Sequence, residues 1–168
     1  MRMSRRAVRV AGLAVVVALL TAGAAFADAG GQGTVTMTTH ASNVPLFPPQ
    51  HTNNPCTNAP GTLSAISANS VFHVTYFTTG PEFWVTGTDE GTVTFTPDDP
   101  NGVSASGHFA AWFGESMNNK NDVQHNTNTF VLAGSDGSRL VMHETSHLST
   151  NANGVVTVNF DNISLTCG

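Results

Sequence analysis

From residue 61 onward, the chain alternates short runs of β-branched and aromatic residues with clusters of turn residues. The runs show the period-two alternation of half-buried strands, and no window after residue 27 combines a helical period with caps. The predicted strands are Thr34 to Thr39, Gly61 to Ile66, Val71 to Phe77, Glu82 to Thr88, Thr92 to Thr96, Ser104 to Phe113, Thr127 to Ala133, Arg139 to Leu148 and Val155 to Leu165. This spacing predicts an all-β fold, a single antiparallel β-barrel or β-sandwich of about eight to nine strands.

The segments between these strands contain specific turn residues. Residues 134–137 and 151–154 are rich in Asn, Asp and Gly and have the composition of hairpin turns, and Asp89-Glu90 is interpreted as a turn between two strands. Residues 41–60 differ, because five prolines lie there among Asn and Thr residues. This composition predicts a long irregular loop over 41–60 within the domain.

The amino terminus has the order of features found in a secretory signal peptide. Four arginines lie before residue 10, an apolar run extends from Val10 to Leu20, and small residues end at Ala25-Phe26-Ala27. The apolar run is too short to cross a bilayer comfortably. We therefore predict a leader over residues 1–27, a single domain over residues 28–168, and a secreted, extracellular protein that is not attached to a membrane after cleavage.

The charge balance excludes nucleic acid as a partner. Once the leader is removed, only Lys120 and Arg139 remain against 11 carboxylates, which gives a formal charge of −9. Two scattered cations cannot neutralise a phosphate backbone, and an anionic membrane surface is disfavoured for the same reason.

The only cysteines are Cys56 and Cys167. An exported protein meets an oxidising compartment, so we predict that the two residues form a disulfide that closes the fold. Such a bond would enclose about 110 residues and would contribute at most about 4–5 kcal/mol to stability. Its predicted role is structural.

Alternation along the strands sorts the side chains into two faces. One face is rich in Phe and is predicted to form the core: Val35, Met37, Leu63, Phe72, Val74, Tyr76, Phe83, Val85, Val93, Phe95, Phe109, Ala111, Phe113, Phe130, Leu132, Leu140, Met142, Val156, Val158 and Phe160. The other face is rich in Thr and carries six larger side chains: His73, Trp84, His108, Trp112, His143 and His147.

Residues 143–147 match the pattern H-E-x-x-H. On a helix, His143 and His147 would stand one turn apart, with about 6 Å between their Cβ atoms, and both could bind one Zn²⁺. Glu144 would then act as a general base on the metal-bound water. On a strand the two histidines would be about 13 Å apart and could not share a metal without a sharp bulge.

The neighbouring residues favour the strand. Thr145 and Ser146 are weak helix formers, and the segment lies between two hairpin-type turns. Leu140 and Met142 continue the alternation of the core face. Glu144 and Ser146 share that alternation, so a strand here is expected to leave the core or to bulge at Glu144.

These five residues resemble the zincins, and small secreted neutral peptidases of that class carry a related H-E-T-x-H pattern. The resemblance implies a metallopeptidase with His143 and His147 as zinc ligands and Glu144 as its base. The extended pattern that supplies a third ligand is not met, since Thr150 occupies the position of the required Gly and Asn153 that of the third His.

The larger side chains of the Thr-rich face form two candidate groupings. His73, His108, His143 and His147 either hold a metal between strands or are ordinary surface histidines. Trp84 and Trp112 either pack at a rim or form an exposed aromatic platform on which sugar rings or partner surfaces stack. The predicted ligand-binding residues are Trp84, Trp112, His73, His108 and His143.

The Ala-rich leader, the single Cys pair and the segments G-H-F-A-A-W-F-G and G-S-D-G-S resemble those of small secreted proteins of actinobacteria. This resemblance implies no activity. The sequence therefore supports a secreted, non-enzymatic binding module for a small molecule, a glycan or a protein, with no cofactor. The alternative is a zinc-dependent metallopeptidase. The sequence leaves the ligand and the oligomeric state open.

Overall fold

The computed structural model describes residues 25–27, 34–78 and 80–168 of the 168-residue chain. The described residues form ten β-strands and no helix. The strands are β1 Ala25–Ala27, β2 Thr34–Ala41, β3 Val44–Pro45, β4 Gln50–Asn53, β5 Pro60–Phe77, β6 Phe83–Pro97, β7 Ala105–Met117, β8 Asn121–Gly134, β9 Arg139–Asn151 and β10 Val156–Cys167. No helix in this part of the chain is long and apolar enough to span a membrane.

All ten strands belong to one antiparallel sheet in the order β1-β2-β5-β6-β7-β8-β9-β10. Strands β5 to β10 form a meander in which each strand pairs with the next. Strands β2, β3 and β4 pair one after another along the side of β5 that β6 leaves free. The predicted all-β antiparallel fold is confirmed.

The Cys56–Cys167 disulfide is confirmed, with 5.8 Å between the two Cα atoms. Cys56 follows β4 at one margin of the sheet, and Cys167 ends β10 at the other margin. The bond therefore joins the two margins at one end of the sheet. Among the described residues no ladder pairs β10 with β2, β3 or β4, so the sheet is open and the predicted barrel is not confirmed.

The leader predicted over residues 1–27 lies outside the described residues, apart from β1. Strand β1 pairs with β2 through Ala25↔Thr38 and Ala27↔Thr36. Cleavage after Ala27 would remove β1 and would leave β2 as the margin of the sheet.

The segment 41–60, predicted as one loop, contains the short strands β3 and β4. Both pair only with β5, at the margin of the sheet. A proline is tolerated there because its missing N–H can face away from the ladder, as at Pro45 in β3. The prolines therefore interrupt the pairing along β5 without preventing it.

Two predicted strand breaks are absent. Strand β5 continues through residues 67–70, with a register shift between Ser67 and Asn69, and β6 continues through Asp89 and Glu90. The interpretation of Asp89-Glu90 as a turn is wrong. Asp89 is accommodated inside the strand because Ser67 donates a hydrogen bond to its carboxylate at 2.8 Å.

The hydrophobic core lies at the disulfide end of the sheet. Its buried residues are Ala65, Val93, Phe95, Phe109 and Leu132, and Leu46 and Phe47 from the segment 41–60 pack against them. We call the face that carries these residues the core face. The opposite face, which carries Thr92 and His108, is called the outer face.

A polar row crosses the core face next to this core, and beyond it Phe72 and Val85 are buried again. The polar row runs from Ser70 through Asp89, Ala111 and Asn128 to Glu144. Strand β9 neither bulges nor leaves the core face at Glu144, contrary to expectation. The neighbouring strand β8 explains the difference, because Asn128 Nδ2 donates a hydrogen bond of 3.1 Å to Glu144 Oε2.

The face predicted for Val158 and Phe160 in β10 is wrong, whereas Val156 takes a core-face position opposite Thr150. The pairing of β10 with β9 shifts by one residue between Val156 and Val158. The residues after the shift therefore lie on the opposite face from the one that uninterrupted alternation from Val156 predicts. Phe160 consequently lies opposite His147 on the outer face and is 47% exposed. Ile163, which pairs with Glu144, takes the core-face position instead.

Candidate ligand-binding face

The outer face presents both tryptophans to solvent. Trp84 is 49% exposed and Trp112 is 45% exposed. Trp84 on β6 lies opposite Ser116 on β7, four residues from Trp112, so about 13 Å of strand separates the two positions. Of the two arrangements that the sequence allowed, the structure has the exposed one.

Each indole is supported from one side. The Trp84 ring packs edge-on against Phe77, with 5.2 Å between ring centroids. The Trp112 ring lies over Gly114, since a Cβ at Gly114 would stand 3.3 Å from Trp112 Cη2. The glycine thus leaves room for the indole to lie along the sheet in the direction of Trp84.

The three predicted histidine partners lie at different distances from the tryptophans. His73 falls in the row with Thr86 and Gly114, between the rows of Trp84 and Trp112. His108 is four residues from Trp112 along β7, and His143 lies on β9, two strands away. The structure therefore brings His73 next to Trp84 only. His73 and His143 lie equally far from Trp112, each two strands across and one row along, and His108 lies further along β7.

Hydroxyl groups orient two of these imidazoles. Thr38 Oγ1 lies 3.0 Å from His73 Nδ1, and Thr129 Oγ1 lies 3.0 Å from His143 Nδ1. Both contacts are cross-strand pairs on the outer face. Such bonds fix the ring planes and leave the second nitrogen of His73 to face solvent or a ligand.

The H-E-x-x-H segment is extended within β9, as predicted. His143 and His147 both lie on the outer face, about 13 Å apart by strand geometry. Glu144 lies on the core face, where it is bonded to Asn128. This arrangement does not bring the two imidazoles and the carboxylate to one metal, so the segment does not build the zincin constellation.

One functional group on the outer face was missed by sequence reasoning. His125 on β8 lies directly opposite His147 on β9, and their Nδ1 atoms are 3.0 Å apart. Phe160 stacks on His147, with 6.1 Å between ring centroids. Alternation with Thr127 and Thr129 would have placed His125 on this face, but the predicted strand began only at Thr127.

A second missed group is the buried carboxylate of Asp89, which is 4% exposed on the core face. Its Oδ2 accepts a hydrogen bond from Ser67, whereas its Oδ1 and the Oγ of buried Ser70 have no hydrogen-bond partner. Burial raises the pKa of Asp89 above its usual value of 3.8. The hydroxyls of Ser67 and Ser70 oppose this shift, because both lie close enough to favour the charged form.

A third polar group lies near the far end of β7. Burial raises the pKa of Glu115, and the charge of Asp122 raises it further. Gln124 bridges the two carboxylates, since its Nε2 lies 3.3 Å from Glu115 Oε1 and 3.4 Å from Asp122 Oδ2. These groups share the core face with Asp89, so the acidic character of this domain is concentrated away from the outer face.

We expect Asp89→Asn to make the protein more stable at about pH 7 than the unsubstituted chain. The pKa of Asp89 is higher in the folded protein than the ordinary value of 3.8 that applies to the unfolded chain. The stability of the folded protein therefore falls as the pH rises from 3.8 through the folded-state pKa, and it stays lower at higher pH. A neutral amide avoids this loss and can donate to Ser70 Oγ. Urea unfolding at about pH 4 and about pH 7 measures the difference.

The gain from Asp89→Asn should be smaller at about pH 4 than at about pH 7, because the natural carboxyl is more fully protonated at the lower pH and its buried charge then costs less stability. Asp161→Asn is a suitable control, because Asp161 is an exposed carboxylate on β10. Equal gains for both variants at both pH values would show that net charge, and not burial of Asp89, is responsible.

A concavity lies beside the disulfide. It is an open cleft of about 220 Å³, bordered by Asn54, Cys56, Leu132, Arg139 and Gly168 among others. Among the described residues no group of three or more His, Cys, Asp or Glu side chains is placed to hold a metal ion. No family model, curated protein or solved structure matches the chain.

Proposed function

We propose that this protein is a secreted, non-enzymatic binding module whose outer face takes an uncharged glycan. The observation that carries the proposal is the pair of half-exposed indoles, Trp84 and Trp112, on a regular sheet face. An exposed indole stacks on the apolar face of a sugar ring, and such aromatic groups contribute a large part of the binding energy where they occur.

The charge of the outer face supports an uncharged ligand. Along β2 and β5 to β10, the only charged side chains with outer-face alternation are Glu90 and Arg139. The remaining surface between and beside the tryptophans consists largely of Thr hydroxyls, which donate and accept hydrogen bonds as sugar hydroxyls do. Glu90 pairs with Ala110 and is a diagonal neighbour of Trp112, whereas Arg139 pairs with Ala133, far from both indoles. An anionic ligand would therefore find no cation beside either indole.

Export is part of the proposal. The order of features in residues 1–27 is that of a signal peptide, and a disulfide persists in an oxidising compartment. With the leader removed, the formal charge of −9 disfavours nucleic acid and anionic membrane surfaces as partners.

We expect Trp112→Ala to weaken glycan binding at least about tenfold, which corresponds to about 1.4 kcal/mol. The probes are neutral oligosaccharides of glucose, xylose, mannose and N-acetylglucosamine, added to leader-free protein and followed by calorimetry and tryptophan fluorescence. Far-UV circular dichroism should be unchanged, because the Trp112 side chain is half exposed and its removal leaves no core cavity.

Phe160→Ala is the matched control, since Phe160 is an aromatic residue of similar exposure on the outer face of β10. It should leave glycan affinity unchanged. The proposal fails if none of the oligosaccharides binds, or if Trp84→Ala and Trp112→Ala both leave the affinity unaltered. If Trp112→Ala unfolds the domain, the exposure assigned to its indole is wrong.

A further inference from the structure

The imidazoles of His125 and His147 form an isolated pair on the outer face. The residues are directly opposite each other on β8 and β9, and their ring planes are nearly perpendicular, at 87°. The two Nδ1 atoms are 3.0 Å apart, which in the metal-free protein requires one ring to donate and the other to accept a hydrogen bond.

This separation matches that of two ligands on one metal. Two nitrogens at about 2.0–2.1 Å from a first-row ion, with an angle of about 90–110° between them, are roughly 2.9–3.4 Å apart. Replacing the shared proton with a metal ion would leave the separation of the two nitrogens nearly unchanged, and each ring would turn until its Nδ1 lone pair points at the ion.

The surroundings hold the pair in place. Phe160 stacks nearly parallel to His147, at 17°, on the side of β10. The ladder between β8 and β9, which holds both histidines, has no register shift. Neither cation of the domain is close, because Arg139 lies eight residues away along β9 and Lys120 lies in the turn before β8.

We infer that His125 and His147 form a two-imidazole site for a divalent first-row transition metal, with water in the remaining positions. Cu²⁺ should bind most tightly, ahead of Zn²⁺ and Ni²⁺, as expected for nitrogen ligands. The site is distinct from the zincin pattern, because its partner for His147 is His125 and not His143. It does not depend on the proposed glycan binding.

The structure also provides an optical reporter for this site. Gly114 lies directly opposite His125 on the neighbouring strand, and the Trp112 indole lies over Gly114. A Cu²⁺ ion on the histidine pair would consequently stand beside Trp112, and it would be remote from Trp84. Copper should quench the fluorescence of Trp84→Phe protein, in which Trp112 remains, much more than that of Trp112→Phe protein.

The test is a titration of leader-free protein, without a polyhistidine tag, with CuCl₂, NiCl₂ and ZnCl₂ by calorimetry. We expect one ion to bind per chain. His125→Asn and His147→Asn should each weaken binding at least about tenfold, because losing a metal ligand reduces the metal affinity more than losing a residue that only supports a ligand does.

His143→Asn is the matched control, because His143 is an exposed histidine on the same strand and the same face. It should leave both the affinity and the copper quenching unchanged. The inference is overturned if none of the three ions binds, if His143→Asn weakens binding as much as His147→Asn does, or if both pair variants retain the natural affinity. Circular dichroism of each variant establishes that the sheet is intact.

Discussion

We expect the double substitution Cys56→Ser with Cys167→Ser to lower the free energy of unfolding by about 4–5 kcal/mol. The disulfide spans 111 residues, and the loop-entropy model assigns about this much stabilisation to a cross-link of that span. For a domain of this size, the corresponding fall in Tm is at least about 10 °C. Urea and thermal unfolding of leader-free protein measure both quantities.

The position of the bond in the sheet adds a local effect. Every residue of β10 is exposed, and among the described strands β10 pairs only with β9. The disulfide is the one covalent tie between this strand and the opposite margin of the sheet, where Cys56 follows β4. Without it, amide hydrogen exchange should increase first along β10.

Unsubstituted protein in reductant is the matched control for this prediction. It should unfold at the same urea concentration as the double-serine variant, because both lack the same cross-link. A loss below about 1 kcal/mol in both samples would show that the unfolded chain is already restrained, or that the margins of the sheet are held by other contacts.

Much of the fold could be predicted from the sequence, because alternation and turn composition are local signals. The hairpin turns at 134–137 and 151–154 and the extended state of the H-E-x-x-H segment were all predicted. The continuity of β6 was not predicted, because Asp89-Glu90 has the composition of a turn. Asp89 is accommodated within the strand by a hydrogen bond from Ser67, which lies 22 residues away in the sequence. The sequence around Asp89 contains no information about that partner.

The faces of the sheet were predicted less completely, for two physical reasons. A single register shift between Val156 and Val158 reverses the alternation of β10, and nothing in the local sequence marks it. The polar row of the core face depends on cross-strand pairs such as Asn128 with Glu144, which only the register brings together. The exposure of Trp84 and Trp112 follows from alternation and was one of two predicted arrangements.

The second large effect is expected from Gly107→Ala, which should destabilise the protein by about 3 kcal/mol or more. Gly107 lies on the core face of β7, between Val93 on β6 and Leu132 on β8. A methyl group there would collide with the carbonyl oxygen of Val131 and would stand 2.8 Å from Leu132 Cα. Because both are backbone atoms, the conflict cannot be relieved by a change of rotamer.

The strands β7 and β8 would have to separate beside two buried residues of the core, Val93 and Leu132. Gly80→Ala is the matched control, since a Cβ at Gly80 would meet no atom within 4 Å, and it should change stability by less than about 0.5 kcal/mol. Urea unfolding of both variants measures the contrast. Similar stabilities for the two would mean that β7 and β8 can move apart at this point without loss, and that the close approach at Gly107 does not constrain the core.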